Sequence, residues 1–260
     1  MTIATQIGGL ALLPALWAGR KAQSAWYRAT LGIAVFLVCY SALWFGAAQL
    51  APLTGRVPLP CMVQPESPLV SQSPIYCILN RHYVHPELSR LATGLSRHLD
   101  NRFPGTQTMT LDAGFPFLDG FPMFPHLSHK DGHKLDLALF YENGSGAYQP
   151  GRTRSSLGYG AYAAPRGSEQ DACGGSAPWP GMRLPPQWEW PIQTRGLSLE
   201  LGRNRAAIEW LVAEGPAYGL KKLFIEPHLA RRLEVSSPLI RFQGCRAARH
   251  DDHIHIEIGA

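Results

Sequence analysis

The chain has 260 residues, 45% hydrophobic and 17% charged, which excludes wholesale disorder and leaves room for one sizeable domain plus an appendage. Its 24 Lys and Arg face 19 Asp and Glu for a net charge of +5, but Arg20, Lys21 and Arg28 lie in an N-terminal stretch that contains no acid. The remainder is too balanced for the broad basic surface that nucleic-acid binding needs, so no nucleic-acid partner is expected.

The N-terminal stretch has its own logic. Between Arg28 and Arg56 no residue is charged, and Leu31–Leu50 (LGIAVFLVCYSALWFGAAQL) is mostly apolar. A helix of that length spans roughly 30 Å, the thickness of a hydrocarbon core. The stretch stands further into the chain and is longer than the apolar core of a signal peptide, so an uncleaved transmembrane helix is expected at 31–50. The basic residues before it put 1–30 on the cytoplasmic side or at the interface. The expectation is a single-pass protein of the inner (cytoplasmic) membrane, with all that follows in the periplasm or outside the cell. Ile7–Ala18 is short, contains Pro14 and reads as interfacial.

Cys39 lies in the anchor, leaving Cys61, Cys77, Cys173 and Cys245 beyond it. An even number suits two disulfides in an oxidising compartment, and Cys61–Cys77 with Cys173–Cys245 is the preferred pairing of three. Residues 51–75, rich in Pro, Ser and Gln, read as a linker to a domain at 76–260. Leu88, Leu91, Leu95 and Leu99 fall at helical spacing within His85–Phe103, which Pro86 opens and Pro104-Gly105 closes. Thr106–Leu111 alternates weakly, and Asp136–Tyr141 is a buried strand. From Asn143 to about Pro186, Gly, Ser, Pro and Ala dominate, which suggests a surface insertion or lid at about 143–186. A helix at Arg203–Glu214, a strand at Lys222–Glu226, a short helix at His228–Leu233 and a strand at His253–Ile258 complete the chain. This order suggests an α+β domain.

In His253–Ile258 (HIHIEI) alternate side chains share a face, so His253, His255 and Glu257 oppose Ile254, Ile256 and Ile258. Two imidazoles on one face can converge on one ion, but a catalytic zinc site takes three protein ligands. Partners are expected in HLSHKDGHKLDLALFY, His126 to Tyr141. There Asp136 leads an apolar strand and needs a partner if buried, and a turn at Gly132 would bring His129 back over it. Imidazoles with a carboxylate suit zinc better than calcium or magnesium. His82, His85, His98 and His133 read as surface residues.

SHKDGHKLD (Ser128–Asp136) and HDDHIH (His250–His255) resemble the two signatures of the group that contains lysostaphin-type enzymes, D-Ala-D-Ala metallopeptidases and hedgehog domains. The penicillin-insensitive murein endopeptidases are particularly similar, sharing also His126, His250 and a segment like KKLFIEPHLARRL (Lys221–Leu233). The likeness covers about 110–258 with interruptions, and Lys134-Leu135 departs from the usual pattern. It implies a small antiparallel sheet with flanking helices, and Zn2+ held by His129, Asp136 and His255. His253 would be the unligated catalytic histidine, with His250 and His126 nearby. Asp252 is the rival base, because related carboxypeptidases place a glutamate three residues before the last ligand. The implied activity is cleavage of peptide cross-links in peptidoglycan. The alternatives are a D,D- or L,D-carboxypeptidase on stem peptides and, since hedgehog domains keep the ligands, a non-catalytic zinc-binding module.

Overall fold

The computed structural model describes residues 1–20, 24–61, 67–174 and 194–259. At the N-terminus stand α1 (Thr2–Thr5), α2 (Gly8–Gly19) and α3 (Ala25–Leu50). There follow β1 (Val57–Pro58), β2 (Leu69–Ser71), α4 (Pro74–Ile78), β3 (Tyr83–Val84), α5 (Pro86–Arg102), β4 (Thr108–Thr110), β5 (Lys134–Ala138) and β6 (Tyr141–Glu142). The C-terminal part holds β7 (Ser198–Leu199), α6 (Leu201–Ala213), β8 (Leu220–Phe224), α7 (Pro227–Arg232), β9 (Ile240–Arg241) and β10 (His253–Ile258).

The chain is a mixed α+β structure. Its main sheet has six strands in the order β2-β4-β5-β10-β8-β9 among the described residues. The centre is antiparallel, as expected, but both edges are parallel pairs, β2 with β4 and β8 with β9. The expected small antiparallel sheet is therefore corrected to a mixed one. Parallel neighbours need a crossover; α4 and α5 lie in the connection from β2 to β4, and α7 in the one from β8 to β9. The stretch read as a linker contributes β1, which pairs with β3, and the edge strand β2. Residues this rich in Pro and Ser form strands here because they pair at an edge, where few ladder bonds are needed.

One face of the sheet carries the main core. Leu135 and Leu137 of β5 and Ile254, Ile256 and Ile258 of β10 pack there with Leu88, Leu91, Leu95 and Leu99 of α5. Ala206, Ala207, Ile208 and Leu211 of α6 complete the layer. The leucine stripe read from the sequence is thus the buried face of α5, capped by His85, whose Nδ1 accepts from Glu87 N at 3.4 Å. β5 begins at Lys134 and ends at Ala138, earlier at both ends than expected, because Leu139 and Phe140 turn away to start β6 and Phe140 bonds to Asn204 of α6.

At the N-terminus α3 is long and apolar enough to cross a membrane, with mean hydropathy 2.0 over its best window. It starts at Ala25 rather than residue 31, where the Ser24 side chain accepts from Tyr27 N. Ile7–Ala18, expected to be interfacial, is helix α2 packed antiparallel along α3: a side chain at Gly19 would meet Arg28, and one at Gly32 the Ala15 carbonyl. Ile7 then packs with Ala47, Ala51 and Tyr83 where the hairpin meets the domain.

The cysteines pair as preferred, Cys61–Cys77 and Cys173–Cys245, with Cα separations of 5.5 and 5.6 Å. Cys39 is free.

Candidate metal centre

The second face of the sheet holds the site. β10 lies antiparallel to β5 with His255 directly opposite Asp136 and His253 opposite Ala138. Because Ile254 and Ile256 take the core side, His253 and His255 emerge with Asp136 on the other. His129 reaches the same point from the loop before β5, which reverses at Gly132 with φ +75°. A residue with a Cβ is strained at that angle, and its Cβ would also press on the Arg56 side chain.

His129 Nε2 lies 3.3 Å from Asp136 Oδ1 and 3.2 Å from His255 Nδ1, and His255 Nδ1 lies 2.7 Å from Asp136 Oδ1. A tetrahedral ion with bonds of about 2.0–2.1 Å has ligand-to-ligand edges of about 3.3 Å. Two of the three separations have that length, and the third is a direct hydrogen bond that an ion would open slightly. All three residues are buried. His129 Nδ1 donates to the Ala113 carbonyl at 2.8 Å, which turns Nε2 inward. The donor set fits a divalent metal ion. His250, His253 and His255 also lie close enough to hold one, sharing His255. A third group, Cys61, Cys77 and His82, has both sulfurs engaged in the disulfide.

The charges fit as well. Burial pushes the Asp136 carboxyl up, but His129, His253 and His255 together outweigh it and hold it well below the ordinary range. Tyr159 donates to its other oxygen at 2.6 Å. The ionised carboxylate is thus ready to face a cation without first losing a proton.

His253 stands beside this triad, Nε2 3.7 Å from Asp136 Oδ1. Burial alone would lower its pKa; Asp136 and Asp252 raise it to about 9. Asp252, the rival base, is not turned to the opposite face as a regular strand would place it. It precedes β10, its Oδ1 is 2.5 Å from His253 Nδ1, and its Oδ2 accepts from Gly160 N at 2.6 Å. It is occupied in orienting His253. His250 is buried with its backbone locked to Glu226, and its ring lies 5.0 Å from that of His253. Burial, then the charges of His253 and His255, push it down to about 2, so it is neutral at any ordinary pH. His126 Nδ1 lies 2.6 Å from Asp112 Oδ2, and Asp112 is gripped by both arms of Arg81.

Arg81, Asp112, Tyr159 and Gly160 had no motif to announce them. Tyr159 sits in the segment expected to be a surface insertion or lid; most of its described residues are exposed or half-buried, while Ala161, Tyr162 and Ala163 are buried. Gly158 and Gly160, with φ of +79° and +76°, bend the chain inward on either side of Tyr159. The LGYGAY pattern was the available signal. Residues 175–186 of that segment lie outside the described residues. His82, expected at the surface, is buried instead, packed on Tyr83 with ring centroids 4.3 Å apart. His85, His98 and His133 are partly exposed. Asp251 is a structural ion pair with Arg249 and His228.

A cavity of about 480 Å³ adjoins the centre, lined by His126, His253, Asp252 and Tyr159 together with the apolar Ile75, Leu79 and Leu157. No protein-family model matches the chain, and neither does any curated protein.

Proposed function

We propose that the chain is a membrane-anchored zinc peptidase of the penicillin-insensitive murein endopeptidase type, cleaving peptide cross-links of peptidoglycan. The observation that carries this reading is the meeting of His129, Asp136 and His255 beneath a histidine aimed by its own carboxylate, His253 with Asp252. Two imidazoles and one carboxylate are a zinc donor set. The antiparallel core β5–β10–β8 would then correspond to the sheet of the hedgehog and D-Ala-D-Ala peptidase group. When bound, zinc polarises a carbonyl and lowers the pKa of water to roughly 7.

The protein's own groups do the rest. Asp252 holds the Nδ1 proton of His253, which leaves Nε2 free to serve a substrate in the cavity. There, protonated, it donates to the oxyanion of the scissile carbonyl, or, once the charge of a bound zinc has lowered its pKa, it takes a proton from the attacking water. His126, steadied by Asp112, lines the same cavity as a second donor, suited to the leaving amine. His250, neutral and buried, packs its ring 5.0 Å from that of His253.

Both disulfides require an oxidising compartment, and Arg20 and Arg28 lie at the far end of the helical hairpin. Together they support a domain on the outer side of the inner membrane. The test is the detergent-purified full chain with cross-linked muropeptide dimers. Monomers should appear, and neither His129→Ala nor chelated protein should produce them. Stoichiometric zinc without cleavage would instead identify a non-catalytic zinc-binding module, and release of single terminal D-Ala would identify a carboxypeptidase.

A further inference from the structure

Helix α3 has 26 residues, about 39 Å at 1.5 Å per residue, against a hydrocarbon core of about 30 Å. The domain is fastened to the flank of this helix rather than to its end. Tyr40 donates its hydroxyl proton to the Ile78 carbonyl at 2.5 Å, and Trp44 Nε1 donates to the Cys77 carbonyl at 2.7 Å. Asn80 Nδ2 donates to the Tyr40 oxygen at 3.2 Å. Tyr40 and Trp44 precede Leu50 by about 15 and 9 Å of helix respectively.

A span counted from Ala25 needs roughly 20 residues and so reaches Trp44; a span begun later reaches further. Either way, α4, which ends at Ile78, lies at the domain-side edge of the hydrocarbon or within it. Tyr and Trp are the side chains that favour this level. The Cys61–Cys77 disulfide ties α4 to the chain leaving the anchor.

The exposed side chains agree. Ile75 and Ile78 of α4 are 40% and 58% exposed. Ile75 also lines the cavity that holds His126 and His253, so the cavity reaches the surface at α4. Phe124 and Leu127, both exposed, flank in sequence Pro125 and His126, which line the same cavity.

We propose that α4 rests in the bilayer that α3 crosses, so that the cavity opens at the membrane surface and takes a peptide carried by a lipid-linked molecule in that leaflet. The substrate half of this statement rests on the peptidase reading above; the membrane seat does not. An interfacial opening with apolar walls favours an amphiphile already concentrated in the leaflet over a soluble fragment.

The experiment uses the full chain in phosphatidylethanolamine–phosphatidylglycerol vesicles that contain a lipid with a photoactivatable diazirine in its acyl chain. Illumination should label Ile75 and Ile78 as well as α3; labels confined to the N-terminal helices would overturn the membrane seat. In the same vesicles, one cross-linked muropeptide dimer is offered free in solution and coupled to a long acyl chain. The lipid-coupled form should be cleaved about tenfold faster or more, and Ile78→Ser should bring the two rates together without slowing the free dimer. Equal rates with the wild-type protein would overturn the substrate assignment. If neither form is cleaved while Ile75 and Ile78 are labelled, the peptidase reading fails and the membrane seat stands.

Discussion

Asp252 and His253 are neighbours in sequence, yet in the proposed mechanism one orients and the other acts. The difference arises because Asp252 lies just before the regular strand, where its carboxylate can reach back to the ring of the next residue and to Gly160 N. Asp252→Asn keeps the shape but removes the charge that stabilises a protonated His253. The variant should retain one equivalent of zinc and lose about 10²-fold in kcat; loss of the metal itself would show Asp252 to be a ligand. Elsewhere, His82 is buried in the domain, and burial pushes its pKa down to about 4 from an ordinary value near 6.5. The unfolded chain therefore takes up this proton first as pH falls. The stability at stake is intact above about pH 6.5, is lost progressively down to about pH 4, and is constant below. The displacement from 6.5 to about 4 corresponds to at most about 3.4 kcal/mol. Denaturant titrations of wild type and His82→Gln across this range should diverge by up to that amount, with the variant showing the shallower pH dependence. Parallel curves would mean that His82 does not carry it.

At the scale of elements, β5 and β10 decide the site. Their pairing puts His255 opposite Asp136, and a slip of β10 by one residue would turn His253 and His255 into the core and away from Asp136. Ile254 and Ile256 prevent that slip, since the same shift would expose them. The apolar half of HIHIEI thus holds the polar half in place. The alternation was legible from the residues alone; its partner strand was not, because register depends on contacts between residues more than a hundred positions apart. The Cys173–Cys245 bridge works at the same scale, tying the glycine-rich segment to the loop before β10. It closes a loop of 72 residues, for which chain entropy suggests a stabilisation of about 4 kcal/mol. Replacing both cysteines with serine should lower Tm by roughly 8–16 °C while leaving zinc content unchanged. Loss of the metal would show that this bridge also holds the ligands in place.

For the molecule as a whole, the metal should couple the two halves of the sequence that supply its ligands. An ion that binds only the folded state stabilises it by mass action, by about 2.7 kcal/mol at a hundredfold excess over Kd. Chelation of the purified full chain should therefore lower Tm by several degrees, zinc should restore it, and Asp136→Ala should abolish the difference. Much of this organisation was readable in advance. Local rules with short range determined the apolar helix, the leucine face of α5, the alternation in β10 and the residue types in both histidine motifs. They also sufficed to favour the disulfide pairing. The Ser- and Pro-rich stretch that supplies β2, the burial of Tyr159 and His82, and the grip of Arg81 on Asp112 lay beyond them. In each case an unremarkable residue acquires its role from neighbours distant in the chain, so its own flanking sequence carries no sign of it. The sequence by itself thus determined which side chains were chemically equipped to hold a metal and which segment was apolar enough to enter a membrane. Only the tertiary structure decided that His129, Asp136 and His255 meet, that Asp252 is bonded to the His253 ring, and that the domain is fastened to the flank of the apolar helix, because convergence in space is set by packing over the whole chain.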